Sequence, residues 1–157
     1  MQGDKNDLVI EKCVELGATH IQPLFADNSV VKLEETRLAK RMEHWQSIVI
    51  AACAQCGRNR LPVMHKPVKS LIFFESKLAH QDALLFDPCG AEQLHTLAIQ
   101  SSCILFATGP ESGWSDRELS IAKQANWRLA KAGPWIMRAE TAPIAILAIL
   151  QNRVATD

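Results

Sequence analysis

The residues best able to do chemistry in this chain are Arg138, Glu140 and Glu111. An arginine can stabilise negative charge as it develops on a substrate, and a carboxylate beside it can orient that arginine or accept a proton. Arg138 and Glu140 stand between Gly133-Pro134 and a helix entry near Thr141, and Glu111 stands within Thr108-Gly109-Pro110-Glu111-Ser112-Gly113. The same residue types make ordinary ion pairs and helix caps, so residue type alone leaves both roles open. Arg58 and Arg60 flank Asn59 in a loop after a helix, where they are either a phosphate site or solvated cations. Cys53-x-x-Cys56 lies in a helix with no second ligand pair, so packing thiols are expected there rather than zinc. The five histidines are scattered without metal spacing. Trp114 and Trp135, both in loops, could cover a base or an adenine, whereas Trp45 and Trp127 are expected in the core.

Composition bounds what can position these groups. A chain of 157 residues is one domain by prior and can bury about two thirds of its unfolded surface. Seventeen basic residues balance 17 acidic ones, so no global field steers the chain toward nucleic acid. Five cysteines, an odd number at irregular spacing, point to reduced thiols and a cytosolic setting. Met1 to Asp7 has neither an apolar signal core nor an arginine-rich amphipathic pattern, which supports the cytoplasmic reading.

The elements follow from local chemistry. Asp4 or Asp7 is expected to cap a first helix whose apolar set Leu8, Val9, Val14 and Leu16 ends at Gly17. Thr19 to Phe25 reads as a strand that Pro23 makes irregular, and a turn at Asp27-Asn28-Ser29 follows. Leu38, Met42, Trp45, Val49 and Ala52 recur at helical spacing over about Glu34 to Cys56, and Gly57 stops the helix. Val63 begins a second strand. Pro67 fits the first turn of a helix carrying Val68, Leu71, Phe74 and Leu78 up to a break at His80-Gln81. Ala83 to Phe86 is a buried strand, Ala91 to Ile99 a short helix, and Cys103 to Ala107 a fully apolar strand of the central parallel kind. Ser115-Asp116-Arg117-Glu118 is a capping box that opens a helix to about Gln124, and Trp127 to Ala130 is the last strand. From Ala142 to Leu150 every residue is apolar, so that helix must be covered all round, by a knot of chain or a second subunit. Nine such residues fall short of the roughly 18 that read as a membrane span.

This alternation predicts an α/β fold with a largely parallel sheet flanked by helices. Ligands of such sheets bind outside the carboxyl ends of the strands, and three loops leave there: Asp87 to Gly90, Thr108 to Gly113 and Ala132 to Arg138. Their glycines and prolines let backbone groups approach a ligand, which suits an adenine and a ribose better than a triphosphate. Neither a P-loop nor a dinucleotide fingerprint is present. Glycine loops are also plain turns, so cofactor binding rests on more than these.

Gly109-Pro110-Glu111-Ser112-Gly113-Trp114-Ser115 and Gly133 to Ala142 resemble the paired signatures of the SPOUT RNA methyltransferases. The resemblance is to the RsmE family in particular, bacterial enzymes that methylate N3 of a uridine in 16S ribosomal RNA. Glu11-Lys12-Cys13-Val14-Glu15-Leu16-Gly17 and Ala54-Gln55-Cys56-Gly57-Arg58-Asn59-Arg60 are similar to that family too, and the likeness runs from about Gly3 to Gln151. It implies a trefoil-knotted domain, one of the rare exceptions to unknotted chains. It also implies a homodimer, with S-adenosylmethionine beside the interface and 16S rRNA of the small ribosomal subunit as substrate. The cofactor is then expected at Phe86, Pro88, Thr108, Gly109, Gly113, Ala132, Gly133, Ile136, Met137 and Ala142, catalysis at Arg138, Glu140 and Glu111, and RNA contacts at Arg58 and Arg60.

Compared with the family pattern, Ser112 stands in place of a glycine, Trp135 of an arginine, Met137 of a leucine and Ala139 of a threonine. Family members also carry an N-terminal RNA-binding domain of the PUA type, which is expected to be absent from these 157 residues, leaving 1–157 as the methyltransferase domain. A neutral chain without that module is expected to bind ribosomal RNA poorly. The rival expectation is a catalytically silent dimeric domain that binds cofactor at most. A plain nucleotide-binding module is weaker, for want of phosphate-loop fingerprints.

Overall fold

The structure, a computed structural model, describes residues 3–28, 35–76 and 82–154. Helix α1 (Gly3–Glu15) leads to β1 (His20–Ile21) and β2 (Leu24–Phe25), and the long α2 (Glu35–Cys56) follows. Then come β3 (Val63–Met64), β4 (Val68–Lys69), α3 (Ser70–Glu75), β5 (Asp82–Phe86), β6 (Glu92–Gln93) and β7 (Ile104–Thr108). The chain continues through α4 (Asp116–Gln124), β8 (Arg128–Lys131) and α5 (Thr141–Val154). All strand pairs among the described residues are parallel, in a sheet of order β6-β8-β5-β7 and two small ladders, β1 with β3 and β2 with β4. The expected α/β architecture is what the chain adopts.

Strand β5 organises the interior. Ala83 and Leu85 point into one core with Phe74, Ala107, Trp114, Ala122 and Trp127, while Leu84 and Phe86 point into another with Leu94, Ala130, Ile146 and Leu150. Side chains alternate along a strand, so an uninterrupted apolar run is stable only where both faces are covered. A third core joins α1 to α2 through Ile10, Val14, Trp45, Val49, Ala52 and Cys53, the apolar stripe expected from the spacing on α2. Gly17 closes α1: its φ of +90° is accessible to glycine, and Ala18 N–H donates to Cys13 O at 2.9 Å.

Several elements differ from the sequence expectation, each because a long-range partner outweighs a local preference. Asp4 and Asp7 do not precede α1 but lie within it, and Asp7 Oδ2 sits 2.7 Å from His44 Nε2 on α2. Residues 19–25 split at Pro23 into two strands. Residues 91–99 do not form a helix: Glu92–Gln93 extends along β8, where Arg128 binds the Glu92 carboxylate through Nε and Nη2. An open strand edge with an ion pair has overridden weak helical preference. Pro67 does not start a helix either, because Val68 and Lys69 pair with β2 and the short α3 begins at Ser70. Strand β7 is not central; β5 has neighbours on both sides, and β7 on one among the described residues. Helix α5 buries Ile146, Leu147 and Leu150 and leaves Ile149 37% exposed, so the described residues cover most but not all of its apolar surface. Ser29, Glu34, Leu78 and the break at His80-Gln81 lie outside the described residues.

The turn after β5 shows how tightly the sheet edge is built. Asp87 N–H donates to Ala130 O at 3.0 Å, Asp87 Oδ1 accepts from Cys89 N–H at 2.8 Å, and Gly90 is pressed against β8. A Cβ on Gly90 would stand 2.4 Å from the Ala130 carbonyl carbon. Gly90→Ala is therefore expected to cost about 3 kcal/mol, the upper part of the range for overpacking, and to lower Tm measurably. An unchanged Tm would show that the turn can move away at no cost.

Candidate functional site

Parallel pairing brings the three candidate loops to one edge. Phe86 is in register with Thr108 on β7 and with Ala130 on β8, so the chain leaves all three strands side by side. Phe86 is 6% exposed and meets Phe106 edge to face, with centroids 6.1 Å apart. Trp114 Nε1 donates to Phe86 O at 3.1 Å, and Gly109 lies over the indole, where a Cβ would come within 3.2 Å of Nε1. Trp114 is only 8% exposed, so it is the floor under the glycine loop and not a free stacking surface. Gly113, with φ +74°, turns the loop back through its N–H to Pro110 O at 2.9 Å.

Ser115 then starts α4 through the expected capping box, but Glu118 does more than cap. Its buried carboxylate accepts from Ser115 N–H at 2.7 Å, Ser70 Oγ at 2.5 Å and Asp27 N–H at 3.1 Å, tying α4 to the start of α3 and the exit of β2. The sequence spacing announces the cap; nothing local announces Ser70 and Asp27.

The charged groups converge around a residue that the sequence does not single out. Lys5 Nζ, in the first turns of α1, lies 2.9 Å from Glu111 Oε1 and 3.4 Å from Glu140 Oε1. Lys5 is more than a hundred positions from either carboxylate along the chain, so no spacing motif could link it to them. The Lys5 ammonium, by its hydrogen bond and charge, holds Glu111 below the usual carboxylate range, and the charge of Arg138 adds to this. Glu111 in turn raises Lys5, with Glu140 contributing. The Glu111 side chain is 66% exposed, whereas that of Glu140 is 16% exposed and its Oε2 is buried without a hydrogen-bond partner. Arg138 is exposed, and among the described residues its guanidinium makes no ion pair or hydrogen bond.

The last loop offers backbone rather than side chains. Among the described residues, the backbone C=O groups of residues 133–137, and their N–H groups apart from Pro134, which has none, hydrogen-bond to nothing else in the protein. Ala132, Gly133, Met137 and Ala142 are half-buried, as are Thr108, Gly109 and Gly113, whereas Pro88 is exposed. Trp135 and Ile136 are 84% and 82% exposed, an unusual outlay of apolar surface at one loop. Arg58 is committed elsewhere: its Nη1 donates to Val14 O at 2.7 Å and Ala18 O at 2.9 Å, closing the carboxyl end of α1. Arg60 is exposed beside it. Cys53 is buried between α1 and α2, while Cys56 is exposed.

A family model described as "RNA methyltransferase domain" matches residues 1–151. The Ribosomal RNA small subunit methyltransferase E of Buchnera aphidicola subsp. Schizaphis graminum is 31% identical over 150 residues, 96% of this chain and 61% of that protein. Its namesake in Synechocystis sp. is 35% identical over 153 residues, 94% of this chain and 49% of that one. The crystal structure of a Ribosomal RNA small subunit methyltransferase E from Neisseria gonorrhoeae, bound to S-adenosyl methionine, superposes with a TM-score of 0.88 at 35% identity. That superposition covers 96% of this chain and 61% of the other. The chain thus spans 49–61% of the length of these relatives.

Proposed function

The chain belongs to the RNA methyltransferase domain family, and from that membership we propose that it transfers the methyl group of S-adenosylmethionine to N3 of a uridine in 16S ribosomal RNA. The observation that carries this reading is the loop cluster at one sheet edge, where one loop carries both the unpaired backbone groups of 133–137 and, among the described residues, an orphaned buried carboxylate oxygen on Glu140. Such a site fits the cofactor. Adenine and ribose present hydrogen-bonding edges that backbone can match. Residues 132–137, Thr108, Gly109, Gly113, Ala142 and the Phe86 ring would hold it. When bound, it supplies an electrophilic methyl group on sulfur, which leaves with the bonding electrons as a neutral thioether.

The residues of this chain then align the uracil and manage its charge. Arg138, unpaired and exposed, places its guanidinium on the uracil carbonyl oxygens, where negative charge develops as N3 loses its proton. Glu140 Oε2, which has no other partner, takes that proton. Glu111 is poorly suited to the task, since Lys5 holds it ionised and it is largely exposed. The buried Phe86 and the Trp114 floor exclude water from one side.

The same reading makes 1–157 a single methyltransferase domain working in the cytoplasm, with its last loop and α5 in a trefoil knot and a second copy over the exposed part of α5. The apolar, partly exposed Ile149 supports that pairing. No helix among the described residues is long and apolar enough to cross a membrane. Arg60 remains the RNA-contact candidate of the α2 end, and Arg58 would contribute only through donors it does not spend on α1.

Calorimetric titration with S-adenosylmethionine, sedimentation, and transfer of labelled methyl into small ribosomal subunits lacking the modification test this together. Expected are one cofactor per chain of a dimer and label at N3 of a uridine. Binding without transfer would identify a silent cofactor-binding domain, and a folded chain that binds no cofactor would refute the proposal.

A further inference from the structure

We infer that Lys5 is a positioning residue whose ammonium occupies Glu111 and Glu140 so that the guanidinium of Arg138 stays free for substrate. Four charges, two of each sign, gather where the glycine loop and the last loop face α1. Lys5 bridges both carboxylates at 2.9 and 3.4 Å, while Arg138, close enough for its charge to reach Glu111, makes no pair among the described residues. Lys5 holds the exposed Glu111 carboxylate that the arginine could otherwise take. Without Lys5, Arg138 is a cation whose charge already reaches Glu111, and its planar fork binds a carboxylate through two parallel bonds more readily than a lysine does. Such a pair would turn the arginine away from the uracil oxygens.

A second consequence concerns Glu140. Lys5 reaches only its Oε1 and leaves Oε2 unpartnered, so the oxygen that takes the proton is not spent on the lysine. The lysine reaches both loops from α1. Because it sits on the surface of α1, its removal leaves the three cores untouched.

The catalytic weight of this arrangement rests on the methyl-transfer reading; the arrangement itself does not, and the test separates them. Phenylglyoxal modification of Arg138, followed by mass spectrometry, reports whether the guanidinium is free whether or not the protein is active. Lys5→Met is expected to slow that modification several-fold, and the double variant Lys5→Met/Glu111→Gln to restore the original rate. In methyl transfer to small ribosomal subunits, Lys5→Met should lower kcat about tenfold with KM for the cofactor little changed. Lys5→Arg and the double variant should both recover most of the loss, which a merely structural lysine would not allow. Equal Arg138 reactivity in wild type and Lys5→Met would overturn the inference. So would a loss of activity in Lys5→Met that Glu111→Gln does not relieve. A wild-type chain that transfers no methyl, yet shows the predicted reactivity pattern, would refute the function and leave the role of Lys5 standing.

Discussion

Arg138→Ala is expected to lower kcat for methyl transfer by about 10²- to 10³-fold, the usual loss when one donor to a developing anion is removed. Cofactor affinity and stability should barely change. The guanidinium is exposed and has no partner among the described residues, so its loss leaves no buried group stranded. The effect belongs in kcat because the uracil oxygens gain their charge only as N3 is deprotonated, and an interaction made in the transition state alone shows there. Arg138→Lys keeps the charge without the fork and should fall between the two. Steady-state kinetics on small ribosomal subunits decide it: a rate within about threefold of wild type would remove Arg138 from the chemistry.

Glu118→Ala should be the most damaging change to the fold outside the three cores, at about 4 kcal/mol. The side chain is fully buried and accepts from Ser70 Oγ, Asp27 N–H and Ser115 N–H. Removing it leaves the buried Ser70 hydroxyl without its acceptor at about 1–3 kcal/mol, frees the half-buried Asp27 and Ser115 N–H groups, and removes the reciprocal half of the capping box of α4. Against a typical total stability of about 5–15 kcal/mol, such a loss would leave much of the protein unfolded on modest heating. Glu118→Gln retains acceptor capacity at one oxygen but presents an amide donor to hydrogens, and should cost about half as much. Urea unfolding with an unchanged m-value measures both; a cost below about 1 kcal/mol for alanine would mean that water replaces the carboxylate. The consequence extends to function, because Ser115 ends the glycine loop that carries Glu111.

How far the sequence can be read is clear from particular residues. Helix α2 was legible because an apolar residue every three or four positions can face only one way, and that stripe became the core with α1. The capping box at Ser115 was legible because both its partners lie within four residues. Residues 91–99 were misleading, since a two-residue strand held by Arg128 has no periodicity to detect. Trp114 and Trp135 looked alike as loop aromatics. One is buried under Gly109 and the other is 84% exposed, a difference set by distant packing.

By itself the sequence determined the alternation of elements, the α/β class, the three loops and the polar residues they carry. Each of these follows from hydrophobic period, glycine, proline and caps, which act over a few residues. Only the tertiary structure decided that β5 and β8 are the inner strands and β7 is not, that Arg58 closes α1, and that Lys5 joins Glu111 to Glu140. Those outcomes depend on which distant segments meet. Contact between groups a hundred residues apart leaves no mark on the residues in between.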